Sequence, residues 1–209
     1  ERRQAEREAR QAEQEAEEKR RQAEREADEK SRQAEREAEE KRQAEVLAAS
    51  LDIELTAENA ERFGGFVVLD IILKAKEIGA VELSLYPHRA ADLSPLKGLT
   101  KLERLNLSEN RITDLSPLKG LTNLQHLDLS YNQITDPTPL AGLTKLRWLA
   151  LAYNPITDKS TLAGLPDLEC LHLVGNQITD LSPLKGLTKL ERLSLSFNQI
   201  TDLTPLAGL

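Results

Sequence analysis

An asparagine recurs every 22 residues through the C-terminal half of this chain, at Asn110, Asn132, Asn154, Asn176 and Asn198. Each asparagine follows the same frame of leucines, so that the phrase LERLNLSENRITDLSPLKGL, which starts at Leu102, returns with small changes in the repeats that follow. A fixed period of this length is typical of a solenoid, in which one structural unit stacks on the next. Each unit of such an array buries its apolar face only against its neighbours. The period therefore predicts a fold whose function depends on a surface rather than on an enclosed pocket.

The repeat contains a short L-x-L segment, which predicts a strand because alternate side chains of a strand point to the same face. After the asparagine come an isoleucine, an aspartate and a Ser or Thr that is usually followed by proline. Ser or Thr before proline is typical of a helix N-cap and its first position, and Gly120 limits that helix to about one turn. We therefore predict a parallel sheet on one side of the array and short turns, partly 3₁₀, on the other.

The repeating pattern, as in residues 102–121, resembles the 22-residue class of leucine-rich repeats, which bacterial internalins and phosphatase-regulating repeat proteins share. The resemblance implies an α/β solenoid shaped as a horseshoe, with a parallel concave sheet that binds other macromolecules and short convex turns. Repeat four departs from the pattern, because Lys159 replaces a Leu or Pro and Thr161 replaces the proline. The lead-in KAKEIGAVELSLY, over residues 74–86, is similar to that of bacterial Roco-type repeat proteins.

Three segments divide the chain. Residues 1–48 consist of strong helix formers with no Gly or Pro, which predicts a charged helix, either single or in a weak coiled coil. Residues 49–80 predict a helical N-terminal cap, in which Thr56 starts one helix, Gly64 and Gly65 end it, and a second, more apolar helix closes at Gly79. Residues 81–209 predict one degenerate repeat and then about five 22-residue repeats, truncated at the C-terminus.

The first repeat is degenerate because His88 stands where later repeats have asparagine and Ala90 stands where they have isoleucine. The chain begins without methionine and ends within a repeat, so we expect a fragment whose last leucines are uncapped.

Composition excludes several classes of function. The net charge of −7 argues against a nucleic-acid binder, which needs a basic stripe on its surface. The longest apolar run, residues 66–73, is interrupted by Asp70 and is far shorter than the roughly 20 residues of a membrane helix. One cysteine cannot form an internal disulfide, and we expect a cytoplasmic location rather than the cell surface.

The repeated polar residues predict structural roles. The resemblance to leucine-rich repeats implies that the asparagines bond buried backbone groups between successive loops. The aspartates at 114, 136, 158, 180 and 202 are expected to cap or stabilise turns rather than to catalyse. No nucleotide-binding, hydrolase or metalloprotease motif is present in the sequence.

The sequence predicts that Cys170 is neither a nucleophile nor a metal ligand. No residue that could act as its base stands at the spacing of a catalytic triad. A metal site would combine it with His172 and His126, but His126 lies two repeats away, about 9.6 Å, with Trp148 between them. We therefore predict no enzyme activity, no metal and no cofactor.

Residues that break the repeat are the candidates for binding. The only Trp, the only Cys and most of the His and Tyr residues fall at positions predicted to face outward from the concave sheet. Trp, Tyr and Arg are enriched at interface hot spots, and Tyr131, Tyr153 and Trp148 are predicted to form one contiguous patch. The predicted partner-binding residues are Arg104, His126, Asp128, Tyr131, Trp148, Tyr153, Cys170, His172, Arg192 and Phe197.

The sequence thus predicts a protein–protein interaction module that binds a protein of unknown identity on its concave surface. Two alternatives stay open, namely the recognition arm of a larger Roco-type GTPase and a surface adhesin of the internalin kind. We also expect weak self-association, either through the helix over 1–48 or through the uncapped C-terminal end.

Overall fold

The computed structural model describes residues 61–157 and 160–209, together with the six isolated helical residues Gln22, Glu29, Lys30, Gln33, Ala34 and Ala38. The chain divides into two compact units, Glu1–Gln43 and Ala44–Leu209. Apart from those six residues, the helix predicted over 1–48 lies outside the described residues, as do Thr56, Asp158 and Lys159. The predicted segment boundaries at 48 and 80 stay predictions.

The described part of the repeat region contains one parallel sheet whose six strands follow chain order. The strands are β1 (Glu82–Ser84), β2 (Arg104–Asn106), β3 (His126–Asp128), β4 (Trp148–Ala150), β5 (Cys170–His172) and β6 (Arg192–Ser194). Leu105 pairs with Leu127, and Leu127 pairs with Leu149, so the register advances by one repeat at each strand. The predicted parallel sheet is confirmed.

The opposite side of each repeat is a short 3₁₀ turn. The turns span Ser94–Leu96, Ser116–Leu118, Thr138–Gly142, Ser160–Gly164, Ser182–Leu184 and Thr204–Leu206. Proline at the first or second position suits such a turn, since its fixed φ is already close to the helical value. The prediction of short turns is confirmed.

The predicted N-cap role of the Ser and Thr hydroxyls is wrong. At the turn Ser116–Leu118 no side-chain cap bond forms. Instead the Asp114 carboxylate accepts a hydrogen bond from the Ser116 backbone N–H at 2.8 Å. The same bond recurs at Asp136, Asp180 and Asp202. A carboxylate two residues before an N–H closes a tight turn, so the aspartate does the capping, as predicted for a structural aspartate.

Leucine and isoleucine build the core. The central leucine of each strand from β2 to β5 and the leucine two residues beyond it are almost completely buried, for example Leu127 and Leu129. The isoleucine after each asparagine, such as Ile134, is equally buried. These side chains form one continuous cluster along the stack. The alternation predicted from the sequence therefore holds through the central repeats.

The helix α1 (Phe66–Ile78) leads directly into the sheet. Its buried face, which includes Leu69 and Ile72, joins the cluster that also contains Leu83 of β1. The helix ends at Gly79, which adopts a left-handed φ of 61° and donates its N–H to the last turn, as predicted. Gly64 allows the chain to approach the first repeat, because a Cβ there would lie 2.8 Å from the His88 carbonyl oxygen.

The leucines at the C-terminal end are less buried than those of the central repeats. Leu195 and Leu206 are only partly buried, and Leu209 is 42% exposed. The predicted partial exposure of these leucines is confirmed. In the described residues, no helix has both the length and the apolar character that crossing a membrane requires.

Candidate protein-interaction surface

The repeated asparagines are part of the scaffold and not of a site. Asn154 is 3% exposed, and its amide donates to the Leu129 carbonyl of the preceding repeat at 2.9 Å. Its side-chain oxygen accepts from the Ile134 N–H at 3.0 Å. Each asparagine thus satisfies backbone groups in two consecutive repeats, which confirms the predicted ladder.

We call the outward side of the six strands the strand face. It is formed by two columns of side chains that alternate with the core leucines. The first column contains Glu82, Arg104, His126, Trp148, Cys170 and Arg192, and the second contains Ser84, Asn106, Asp128, Ala150, His172 and Ser194. The sequence placed both columns correctly from β2 onward. Their role in binding stays a prediction.

Trp148 is the centre of the strand face. Its ring stacks against His126 of β3 with centroids 6.4 Å apart and an interplanar angle of 25°. On the other side it meets the His172 ring of β5 at 5.5 Å and 52°. His126 is the register partner of Trp148, and His172 is its diagonal neighbour on β5, so three consecutive strands bring these rings together. The result is a half-buried aromatic cluster that spans three repeats.

The electrostatic setting of His126 favours a neutral imidazole. Partial burial lowers the pKa of His126 from its usual value, and the positive charges of Arg104 and Arg147 lower it further, against a smaller opposite effect of Glu169 and Glu82. A neutral imidazole stacks on an indole without the desolvation cost of a charged ring. The lowered pKa of His126 therefore favours its neutral form beside Trp148.

Cys170 does have an adjacent base, contrary to the sequence-based interpretation. Its Sγ lies 3.2 Å from Nε2 of His172, because residues two apart on a strand share a face. The thiol is 7% exposed, and burial raises the pKa of Cys170, opposed by Arg192 and by a hydrogen bond with Trp148. A buried thiol with a raised pKa is a poor nucleophile. Among the described residues, no three His, Cys, Asp or Glu side chains are grouped to hold a metal ion.

A shallow pocket of about 430 Å³ lies on the strand face between β1 and β4. Arg104 and Glu82 flank it, with Arg104 Nε 3.2 Å from Glu82 Oε1. His126, Asp128 and Trp148 line the rest of it. Sequence reasoning missed Glu82, although counting 22 residues back from Arg104 would have found it.

The residues predicted at the strand end form a separate group. Glu109, Tyr131, Tyr153 and Phe197 do not lie on strands but in the turns that follow, with left-handed φ values of 53°, 56°, 53° and 57°. Gly175 holds the same position with φ 67°. The predicted placement of Tyr131, Tyr153 and Phe197 on the sheet is therefore wrong, because each strand ends three residues earlier and a left-handed φ does not fit an extended strand. The presence of glycine in the column was the available signal.

The ring contacts of the aromatic side chains fall into two groups. Tyr131 and Tyr153 stack on each other with ring centroids 4.5 Å apart and an interplanar angle of 16°. In the described chain the ring contacts of Trp148 are made with the two histidines, and the tyrosines contact each other. A partner that covers both groups has to extend from the strands to the turns.

Comparison with known proteins identifies the repeats. A family model described as leucine-rich repeats in two copies matches residues 100–142, 122–166, 144–185 and 166–208. A comparison with curated proteins returns no match.

Solved structures show the same architecture. An internalin from Listeria monocytogenes is 40% identical with a TM-score of 0.63, and the match covers 67% of this chain and 42% of that one. Internalin C2 from the same species is 38% identical with a TM-score of 0.56, over 67% of this chain and 70% of that one. A leucine-rich repeat protein from Leptospira interrogans is 31% identical with a TM-score of 0.57, over 64% and 34% of the two chains.

The repeat period, the asparagine ladder, the family model and the identity to these structures agree, and the chain therefore belongs to the leucine-rich repeat proteins of the internalin-like class.

Proposed function

We propose that this chain is a non-enzymatic protein-interaction module that binds a protein partner on its strand face. The observation that carries the proposal is the cluster of His126, Trp148 and His172 on that face. The repeats are near copies of one another inside the stack, whereas the outward positions differ from repeat to repeat. A scaffold position that only supports the fold has no reason to vary in this way.

The chemistry of the strand face suits a protein partner. Trp148 provides a large, half-buried ring surface, and Arg104 and Glu82 provide charged groups at the edge of the adjoining pocket. Interfaces of this kind combine aromatic anchors at the centre with polar groups at the rim.

The test is to identify the partner and then to measure its affinity for two variants. The 209-residue chain is used as bait, and bound proteins are identified by mass spectrometry. Trp148→Ala is expected to weaken the binding of the identified partner by about 2 kcal/mol or more, roughly 30-fold, because it removes a hot-spot ring.

Lys119→Ala is the matched control, since Lys119 is exposed just after the turn Ser116–Leu118, on the side opposite the sheet. It is expected to leave the affinity unchanged. Equal losses from the two substitutions would contradict binding on the strand face.

A second candidate is the recognition region of a surface adhesin of the internalin kind. The observation that favours it is the 40% identity to a Listeria internalin of which this chain spans only 42%. Immunolabelling of intact and permeabilised source cells distinguishes it from the cytoplasmic location expected from the sequence. Labelling that requires permeabilisation would exclude the adhesin.

A further inference from the structure

The turns beyond the strands continue the ladder of the sheet. The Glu109 N–H donates to the Ser130 carbonyl at 2.9 Å, and the Tyr131 N–H donates to the Ala152 carbonyl at 2.8 Å. The Tyr153 N–H continues the series to the Val174 carbonyl at 2.7 Å. Glu109, Tyr131 and Tyr153 therefore occupy consecutive rungs, about 4.8 Å apart. Their shared left-handed backbone projects the three side chains in the same direction.

The two tyrosine rings lean towards the C-terminal end of the ladder. Tyr153 occupies the space beside Gly175, since a Cβ on that glycine would come within 2.6 Å of Tyr153 Cδ1. Tyr131 in turn stacks on Tyr153. The Tyr153 ring thus contacts both the Gly175 rung and the Tyr131 ring. Tyr131 is 51% exposed.

The Glu109 rung lies on the opposite side of Tyr131 from Tyr153, because the three residues occupy consecutive rungs. Because the rings stack across neighbouring rungs, the next stacking position in the series lies above Glu109, whose side chain is exposed. On the far side of Glu109, the Tyr86 hydroxyl donates to its Oε1 at a long 3.4 Å. We call the space between the Tyr131 ring and the Glu109 carboxylate the tyrosine notch.

The chemistry of the notch selects a cation. The face of an aromatic ring carries partial negative charge, and the adjacent carboxylate carries a full one. A guanidinium satisfies both groups, because it stacks flat on a ring and presents N–H donors in its plane to a carboxylate. A lysine ammonium group is a compact point charge, so it gains less than a guanidinium from a flat ring with a carboxylate beside it.

We propose that the tyrosine notch receives an arginine side chain of the protein partner, stacked on Tyr131 and paired with Glu109. The inference rests on the proposed function, since it supplies one contact of the same partner. It adds a requirement for the partner: an arginine located where the strand face gives way to the turns.

The experiment uses N-acetyl-arginine amide as the probe and the 209-residue chain labelled with ¹⁵N. The probe is expected to shift the backbone amide resonances of Glu109 and Tyr131 more than others. N-acetyl-citrulline amide has nearly the same shape without the charge, so it is the matched control and is expected to give little shift. Glu109→Gln and Tyr131→Leu should each reduce the apparent affinity about 2- to 5-fold, the range expected for one exposed cation–π contact.

Glu77→Gln is the control variant, because Glu77 is an exposed carboxylate on α1 and is not part of the notch. It should leave the response unchanged. Equal shifts with arginine and citrulline, or an undiminished response in Glu109→Gln, would overturn the inference. Because Glu109 is a surface residue, that variant keeps the test valid even if Tyr131→Leu perturbs the turn. A negative result here with the Trp148→Ala loss intact overturns the notch and leaves the strand-face proposal standing.

Discussion

The side-chain amide of Asn132 donates to the backbone carbonyl of Leu107, 25 residues earlier and one repeat away, at 2.9 Å. The same amide donates to the Leu129 carbonyl of its own repeat at 3.0 Å, and its oxygen accepts from the Ile112 N–H at 3.0 Å. One side chain therefore joins two repeats through backbone groups that are buried from water. Repetition of this arrangement holds the turns of the solenoid in register.

Asn132→Ala is expected to lower the free energy of unfolding by about 1–3 kcal/mol, because it leaves the Leu107 carbonyl and the Ile112 N–H with one partner fewer in a buried site. Chemical denaturation followed by circular dichroism measures the change. Asn198→Ala is the matched control, since Asn198 makes the same bonds at the partly exposed last rung, and its cost should be smaller. An unchanged denaturation midpoint for Asn132→Ala would contradict a buried ladder.

Gly175→Ala is expected to destabilise the chain by more than about 1 kcal/mol, because alanine is disfavoured at a left-handed φ. The added Cβ would also meet Tyr153 Cδ1 at 2.6 Å and displace the ring from its position. Gly142→Ala provides the comparison, since a Cβ there meets nothing within 4 Å. Thermal unfolding of the two variants should differ clearly, and equal melting temperatures would show that the space beside Tyr153 is not constrained.

Stability is expected to fall as the pH drops below the usual histidine pKa. The pKa of His126 is lowered from 6.5 in the folded chain, first by burial and then by Arg104 and Arg147. As the pH falls, His126 therefore becomes protonated at a higher pH in the unfolded chain than in the folded chain. Stability contributed by the neutral ring is complete above 6.5 and is lost as the pH falls through the lower, folded pKa. Melting temperatures measured from about pH 8 to pH 5 should decline less in His126→Asn than in the parent chain. The same decline in both would contradict this role of His126.

The C-terminal repeat is expected to be the least protected part of the repeat array. Leu195 and Leu206 are partly buried and Leu209 is 42% exposed, since repeats gain burial only from neighbours. Hydrogen exchange should show protection that falls from repeat four towards Leu209, unless this end associates with a second copy. Light scattering separates the two cases by mass. Uniform protection through the last repeat of a monomer would contradict the prediction.

The sequence by itself determined the repeat, the strand positions and the core. Every repeat uses the same leucine frame, so the local alternation in one repeat predicts which side chains of the next are buried, such as Leu127 and Leu149. The resemblance to leucine-rich repeats implied the role of Asn132, and the recurrence of Asp114 in every repeat predicted a structural role in the turn. The sequence did not identify the capping group, because the Ser116 hydroxyl and the Asp114 carboxylate can both accept a hydrogen bond from a backbone N–H. The geometry of the turn selects the Asp114 carboxylate.

Only the tertiary structure decided how the variable side chains meet. Backbone hydrogen bonds between turns put Tyr131 and Tyr153 in left-handed conformations outside the sheet, and the packing of whole repeats then stacks one ring on the other. The 3.2 Å contact of Cys170 with His172 and the two ring contacts of Trp148 likewise depend on side-chain directions. The repeat period specifies the backbone position of each residue. The rotamer of each variable side chain depends on its neighbours, which differ from repeat to repeat. The period therefore determines the scaffold, whereas side-chain contacts, most of them between neighbouring repeats, determine the surface of the strand face.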